Sequence, residues 1–108
     1  MPGGWLFACT LDDLHARPLR PARVGGHDLL IVGDGERVHA VERACPHEQA
    51  DLSEGHCRDG RLHCPRHKAF FDLLGDGRIS PGWVSRPLRR YPVRIVGRSV
   101  LVDLPGGA

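Results

Sequence analysis

Two short motifs, Cys45-Pro46-His47 and Cys64-Pro65-Arg66-His67, stand sixteen residues apart in a chain of 108. Any fold for this chain has to bring them to a common purpose. Each motif pairs a soft thiolate with a borderline imidazole, the two donor types that late first-row metals share. Each also leaves the chain enough slack to reach one metal site from its own direction. Two centres satisfy such a set. A [2Fe–2S] cluster of mixed ligation puts two thiolates on one iron and two imidazoles on the other. A tetrahedral Zn²⁺ takes Cys₂His₂ directly. Zinc-finger spacing groups like ligands together, Cys with Cys and His with His, and Cys-x-His departs from that pattern.

The sequence around the motifs reads as strands. Trp5 to Thr10 alternates as a strand with one buried face does, and Leu11 to Leu14 reads as a turn or a single helical turn. Arg17 to Arg23, with Pro18 and Pro21, is extended and suits an edge strand, because proline donates nothing to a ladder. His27 to Val32 and Arg37 to Val41 form a hairpin across Gly33-Asp34-Gly35-Glu36. From about 42 to 72 apolar alternation fades and histidine, cysteine, proline and glycine dominate. Gly75-Asp76-Gly77 is a tight turn and Ser80 to Pro87 an irregular loop. Tyr91 to Val96 and Ser99 to Asp103 close the chain as a second hairpin. The expected architecture is all-β, with one loop-rich insertion holding the distinctive chemistry. No internal repeat is evident.

Length makes residues 1–108 one domain. Four cysteines would also serve two disulfides, but the start lacks a basic segment followed by a long apolar one, so no secretory signal is read and metal binding is the stronger use. The expected location is the cytoplasm, with no membrane span. Net charge is only +2. Arg86, Arg89, Arg90, Arg94 and Arg98 cluster without the interleaved aromatics of a single-strand binder, which excludes a nucleic-acid reading in favour of a solvated strand face. Between Glu42 and Lys68 five acids balance five bases, so partner choice there rests on shape more than on steering.

C-x-H followed sixteen residues later by C-x-x-H, each cysteine preceding a proline, resembles the Rieske-type [2Fe–2S] proteins. The resemblance extends to the flanking hairpins and the Tyr91-Pro92-Val93 strand. It implies an antiparallel β-sandwich or barrel carrying an inserted cluster-binding subdomain. One [2Fe–2S] cluster would be bound by Cys45, His47, Cys64 and His67, with the two histidines as the exposed ligands near which partners dock. Formal charge would run only from zero to −1 on reduction, which raises the potential above that of plant-type ferredoxins. High-potential relatives carry an extra cysteine in each ligand loop and a nearby hydroxyl. Here Ala50 and Arg66 stand at the cysteine places, so the expected potential is low in the range, about −150 mV. The chain most resembles the ferredoxin components that carry electrons from a flavin-dependent reductase to a terminal ring-hydroxylating oxygenase. It would then be an electron carrier and not an enzyme. The small subunit of assimilatory nitrite reductase is the alternative within the resemblance, and a zinc-stabilised binding module the alternative outside it.

The remaining candidates read as structural. Cys57 is expected to be a non-ligating thiol and Cys9 a core residue sharing a strand face with Trp5 and Phe7. His63 should point away from Cys64. His15, His27, His39 and His56 are expected at the surface, and Phe70 and Phe71 beneath the cluster. Lys68, where relatives often have glycine, is a departure that bears on docking.

Overall fold

A computed structural model describes residues 4–47, 49–66 and 68–104. Among these described residues, ten strands are arranged in three antiparallel sheets. The strands are β1 (Trp5–Thr10), β2 (Leu19–Val24), β3 (His27–Asp34), β4 (Arg37–Glu42), β5 (His56–Arg58), β6 (Arg61–His63), β7 (Phe70–Asp72), β8 (Arg90–Tyr91), β9 (Val93–Val96) and β10 (Ser99–Asp103). One sheet has the order β1-β10-β9, the second β2-β3-β4-β8, and the third β5-β6-β7. The single α-helix among the described residues, α1 (Leu11–Ala16), is started by a capping box in which Thr10 and Asp13 exchange side-chain to backbone hydrogen bonds. No described helix is long and apolar enough to cross a membrane.

The run Leu29-Leu30-Ile31-Val32 in β3 explains the layering. All four side chains are fully buried, whereas a strand with one wet face would bury alternate residues. Leu29 and Ile31 join Cys9, Leu14, Ala40, Val100 and Val102 in a core against the β1-β10-β9 sheet. Leu30 and Val32 join Val41, Leu52, Leu62, Phe71 and Leu88 in a second core against the insertion. The middle sheet is therefore a wall between two cores, and the insertion stands on its far side.

Polar ties hold the insertion to that wall. Asp34, at the end of β3, accepts the Gly60 N–H at 2.7 Å. Arg90 donates to the Leu73 and Gly75 carbonyls. Glu42, at the end of β4, receives both Arg86 guanidinium nitrogens, at 2.7 and 2.8 Å, and the Arg89 N–H at 2.7 Å, which ties the loop before β8 to the same wall.

Several expectations from the sequence change here. The closing strand is two: β8 pairs with β4, and β9 pairs with β10 in another sheet. Pro92 stands at the corner, where the missing N–H costs no ladder bond. The first hairpin's strand runs on through Gly33 to Asp34, which pairs with Arg37. In β1 the register shifts between Phe7 and Cys9. That bulge flips the later residues, so Cys9 faces the core while Phe7 lies exposed on the other side. Cys9 is core as expected, but it does not share a face with Trp5 and Phe7. The insertion also contains regular structure, the three short strands β5 to β7, that the fading alternation did not reveal. The edge position of β2, with Pro21 inside it, is as read.

Candidate metal centre

Cys45 and Cys64 sit at equivalent places in two loops. The Cys45 N–H donates to the Ala50 carbonyl at 2.8 Å, and the Cys64 N–H donates to the Ala69 carbonyl at 3.0 Å. Each loop is thus closed by the same bond from a cysteine to an alanine five residues on. Each also caps a strand pair: Ala44 bridges Asp51 below the first, and His63 pairs Phe70 below the second. The shared pattern is Cys-Pro-x-x-x-Ala, a similarity too short to stand out as an internal repeat. Both cysteines and both alanines are buried in the same core, with Cys45 0% and Cys64 4% exposed. No disulfide joins Cys45 to Cys64.

The first loop is braced from below. Arg43 donates to both Asp51 carboxylate oxygens, at 3.0 and 2.8 Å, and Asp51 also accepts the Ser53 N–H and hydroxyl. The guanidinium beside it, followed by the Ser53 donors, holds the Asp51 carboxyl below the usual carboxylate range despite partial desolvation. The segment after this loop reaches the second through Gly55. A Cβ there would fall inside the van der Waals shell of the His63 carbonyl oxygen, so only glycine lets the two backbones lie this close.

His47 is half-buried, and its ring meets Trp83 edge-on at 5.1 Å between centroids and 81° between planes. His67, the fourth candidate ligand, lies outside the described residues, as does Glu48. Among the described residues no three His, Cys, Asp or Glu side chains converge on one point. Mixed ligation of a binuclear cluster places a thiolate pair on one iron and the imidazoles on the other. The donor set fits the cluster: two thiolates delivered from the apolar core, with His47 on the less buried side.

Other titratable groups fall away from this centre. Burial pushes the Cys57 thiol up to about 11, with the Asp34 carboxylate adding to the effect. His63 lies on the outer face of its sheet, stacked on His56 at 4.4 Å. Phe71 is buried with the two cysteines as expected. Phe70 is not: it faces outward, with Arg61 over its ring at 4.7 Å. His15 and His56 are exposed, but His27 and His39 are half-buried, and the Nε2 of His39 lies buried with no hydrogen-bond partner among the described residues. The clustered arginines are only partly a solvated face. Arg86 pairs with Glu42 at the end of β4, Arg90 reaches the Leu73 carbonyl, Arg98 pairs with Asp12, and Arg94 lies over Trp5 at 4.4 Å. Sequence reading missed Trp83, whose signal was only a tryptophan in a proline-flanked loop.

A sequence model of the Rieske [2Fe–2S] domain matches residues 4–92. The ferredoxin component of the alkene monooxygenase system of Xanthobacter autotrophicus is 36% identical over 99 residues, covering 91% of this chain and 80% of that one. The ferredoxin of carbazole 1,9a-dioxygenase from Nocardioides aromaticivorans superposes with a TM-score of 0.82 at 28% identity, covering 94% of this chain and 98% of that one. A complex of reduced oxygenase and oxidized ferredoxin in carbazole 1,9a-dioxygenase contains a chain similar at a TM-score of 0.78 and 29% identity, with 92% of each covered.

Proposed function

The chain belongs to the Rieske [2Fe–2S] domain family and carries one such cluster, and from that premise we propose that it ferries single electrons from a flavin-dependent reductase to a terminal oxygenase. Its ligands are Cys45, His47, Cys64 and His67. The observation that carries this reading is the pair of loops, closed by the same backbone bond and presenting two thiolates from one buried core. When bound, the cluster supplies reversible one-electron chemistry in a potential range raised by its two neutral ligands.

The chain's own residues do the rest. Cys45 and Cys64 are held out of water by Leu52, Leu62 and Phe71, which protects the thiolates and keeps the local dielectric low. His47 lies at the boundary between core and solvent, where a partner docks within reach. Residues 1–108 act as one domain, with the cluster-binding insertion at about 42–72. The ferredoxin relatives favour a carrier role, with catalysis left to the oxygenase. A cytoplasmic location suits four cysteines joined by no disulfide.

The test is the visible spectrum of anaerobically purified protein, with electron paramagnetic resonance before and after dithionite. A red-brown protein, silent when oxidised and giving a low-average-g signal when reduced, is the expected result, and His67→Ala is expected to abolish it. A colourless protein with stoichiometric zinc would overturn the proposal, since d¹⁰ Zn²⁺ carries no colour and no electron.

A further inference from the structure

We propose that Trp83 is a positioning residue that sets the ring plane and the solvation of His47, and through them the redox behaviour of the bound cluster. The inference rests on His47 being a ligand. The loop that carries Trp83 lies 36 residues from His47 in sequence and meets it through tertiary contact. Both ends of this loop are anchored. The Ser80 N–H donates to the Phe70 carbonyl at 2.8 Å while the Ser80 hydroxyl accepts the Phe70 N–H at 3.1 Å. At the far end the Leu88 N–H donates to the Gly77 carbonyl at 2.9 Å, and the Arg86 guanidinium grips both Glu42 oxygens. The residue next to Trp83, Val84, is 91% exposed. The anchored loop therefore turns one large side chain inward against the imidazole while its neighbour stays in water.

An aromatic pair at 5.1 Å and 81° is in the T-shaped arrangement that ring quadrupoles favour. Such a contact restrains the torsion by which an imidazole would otherwise swing. A metal-bound histidine transmits its orientation to the metal, so a residue that orients the ring tunes the centre without touching it. Trp83 also covers one flank of His47 and packs partly against the core that holds the two cysteines. Removing that cover admits water. Water stabilises the reduced, negatively charged centre more than the neutral oxidised one, so the potential rises.

The experiment compares Trp83→Phe, Trp83→Leu and Trp83→Ala with wild type as cluster-loaded proteins. Protein-film voltammetry gives the potential, and electron paramagnetic resonance of the dithionite-reduced state gives the g-tensor. Expected is a near wild-type result for Trp83→Phe, which keeps a ring. Trp83→Leu, which fills space without a ring plane, should alter the g-values. Trp83→Ala should raise the potential by at least a threefold change in the reduced-to-oxidised ratio at fixed poise, about 28 mV at 59 mV per decade. If the alanine variant fails to load, the leucine and phenylalanine variants decide. Equal potentials and g-values across every variant that loads would overturn the positioning role while leaving the carrier reading intact. A wild-type protein without the His/Cys signal would instead overturn the carrier reading itself.

Discussion

The loop from Cys45 to Ala50 and the loop from Cys64 to Ala69 share a backbone device and differ in what surrounds it. In both, a buried cysteine donates to a buried alanine five residues on, and the sulfurs enter the same core. Below the first loop the paired strands amount to one bridge, Ala44 with Asp51, reinforced by the Arg43–Asp51 ion pair, and Trp83 closes over His47 from a distant segment. Below the second loop the chain runs in a regular ladder, β6 with β7, and Pro65, Arg66 and Lys68 stand exposed. The comparison separates two jobs. Closing the loop and burying the thiol is local and done the same way twice. Packing the outer face of the centre is done by tertiary contact on one side and left to solvent, or to a partner, on the other.

If the two cysteines are equivalent, Cys45→Ser and Cys64→Ser should fail alike. Each is expected to lose the cluster, read as iron per chain falling to background with loss of visible absorption. One variant that kept a wild-type spectrum would break the equivalence. The next largest effect is expected where the loops touch. Gly55→Ala forces a methyl group against the His63 carbonyl and should cost about 3 kcal/mol or more, as overpacking that only backbone movement relieves. A urea melt should show a lower midpoint at unchanged slope.

Asp51→Asn sharpens the contrast by loosening the first loop alone. Its ion pair is about a third exposed on both sides, so screening limits the cost to about 1 kcal/mol near neutral pH. The folded-state carboxyl is held below its ordinary value by Arg43. Its contribution is therefore present above that ordinary value, near 3.8, and is lost as pH falls through the folded value. Wild type and variant should converge in stability in acid, a trend that thermal melts from pH 7 downward would follow. The smallest effect is expected away from both loops, at His39 in β4. Burial, followed by the charges of Arg37 and Arg90, lowers the His39 pKa against an opposing pull from Asp34. The unfolded chain then takes up the proton first, so stability should fall as pH drops through about 6.5. His39→Leu should flatten that part of the profile, and an unchanged slope would show that His39 is not its source.

Much of the centre was legible because ligand chemistry is written in residue type and spacing. The order Cys, His, Cys, His and the sixteen-residue gap narrowed the metal to two choices before any fold was known. The β character of the scaffold was legible for a similar reason, since alternation and turn residues are local signals. The insertion's three strands were not, because strands of three residues are too short to show a period. The matching loop closures were present in the sequence as Cys-Pro-x-x-x-Ala, but alanine carries no chemical flag. Its place in the motif has meaning only once its carbonyl is seen to accept the cysteine N–H.

The sequence by itself determined the candidate donors, their order, and the scaffold strands outside the insertion, because each of these depends on neighbours a few residues away. Tertiary structure alone decided which faces those strands present. Leu29 to Val32 reads as an apolar run whether a strand has one core or two, and only the insertion packed on its far side makes both faces dry. One bulged residue turned Cys9 from the face of Phe7 to the face of Val100. Trp83 reached His47 through contact between segments far apart in the chain. Such contacts follow from how layers stack, and no local period encodes them.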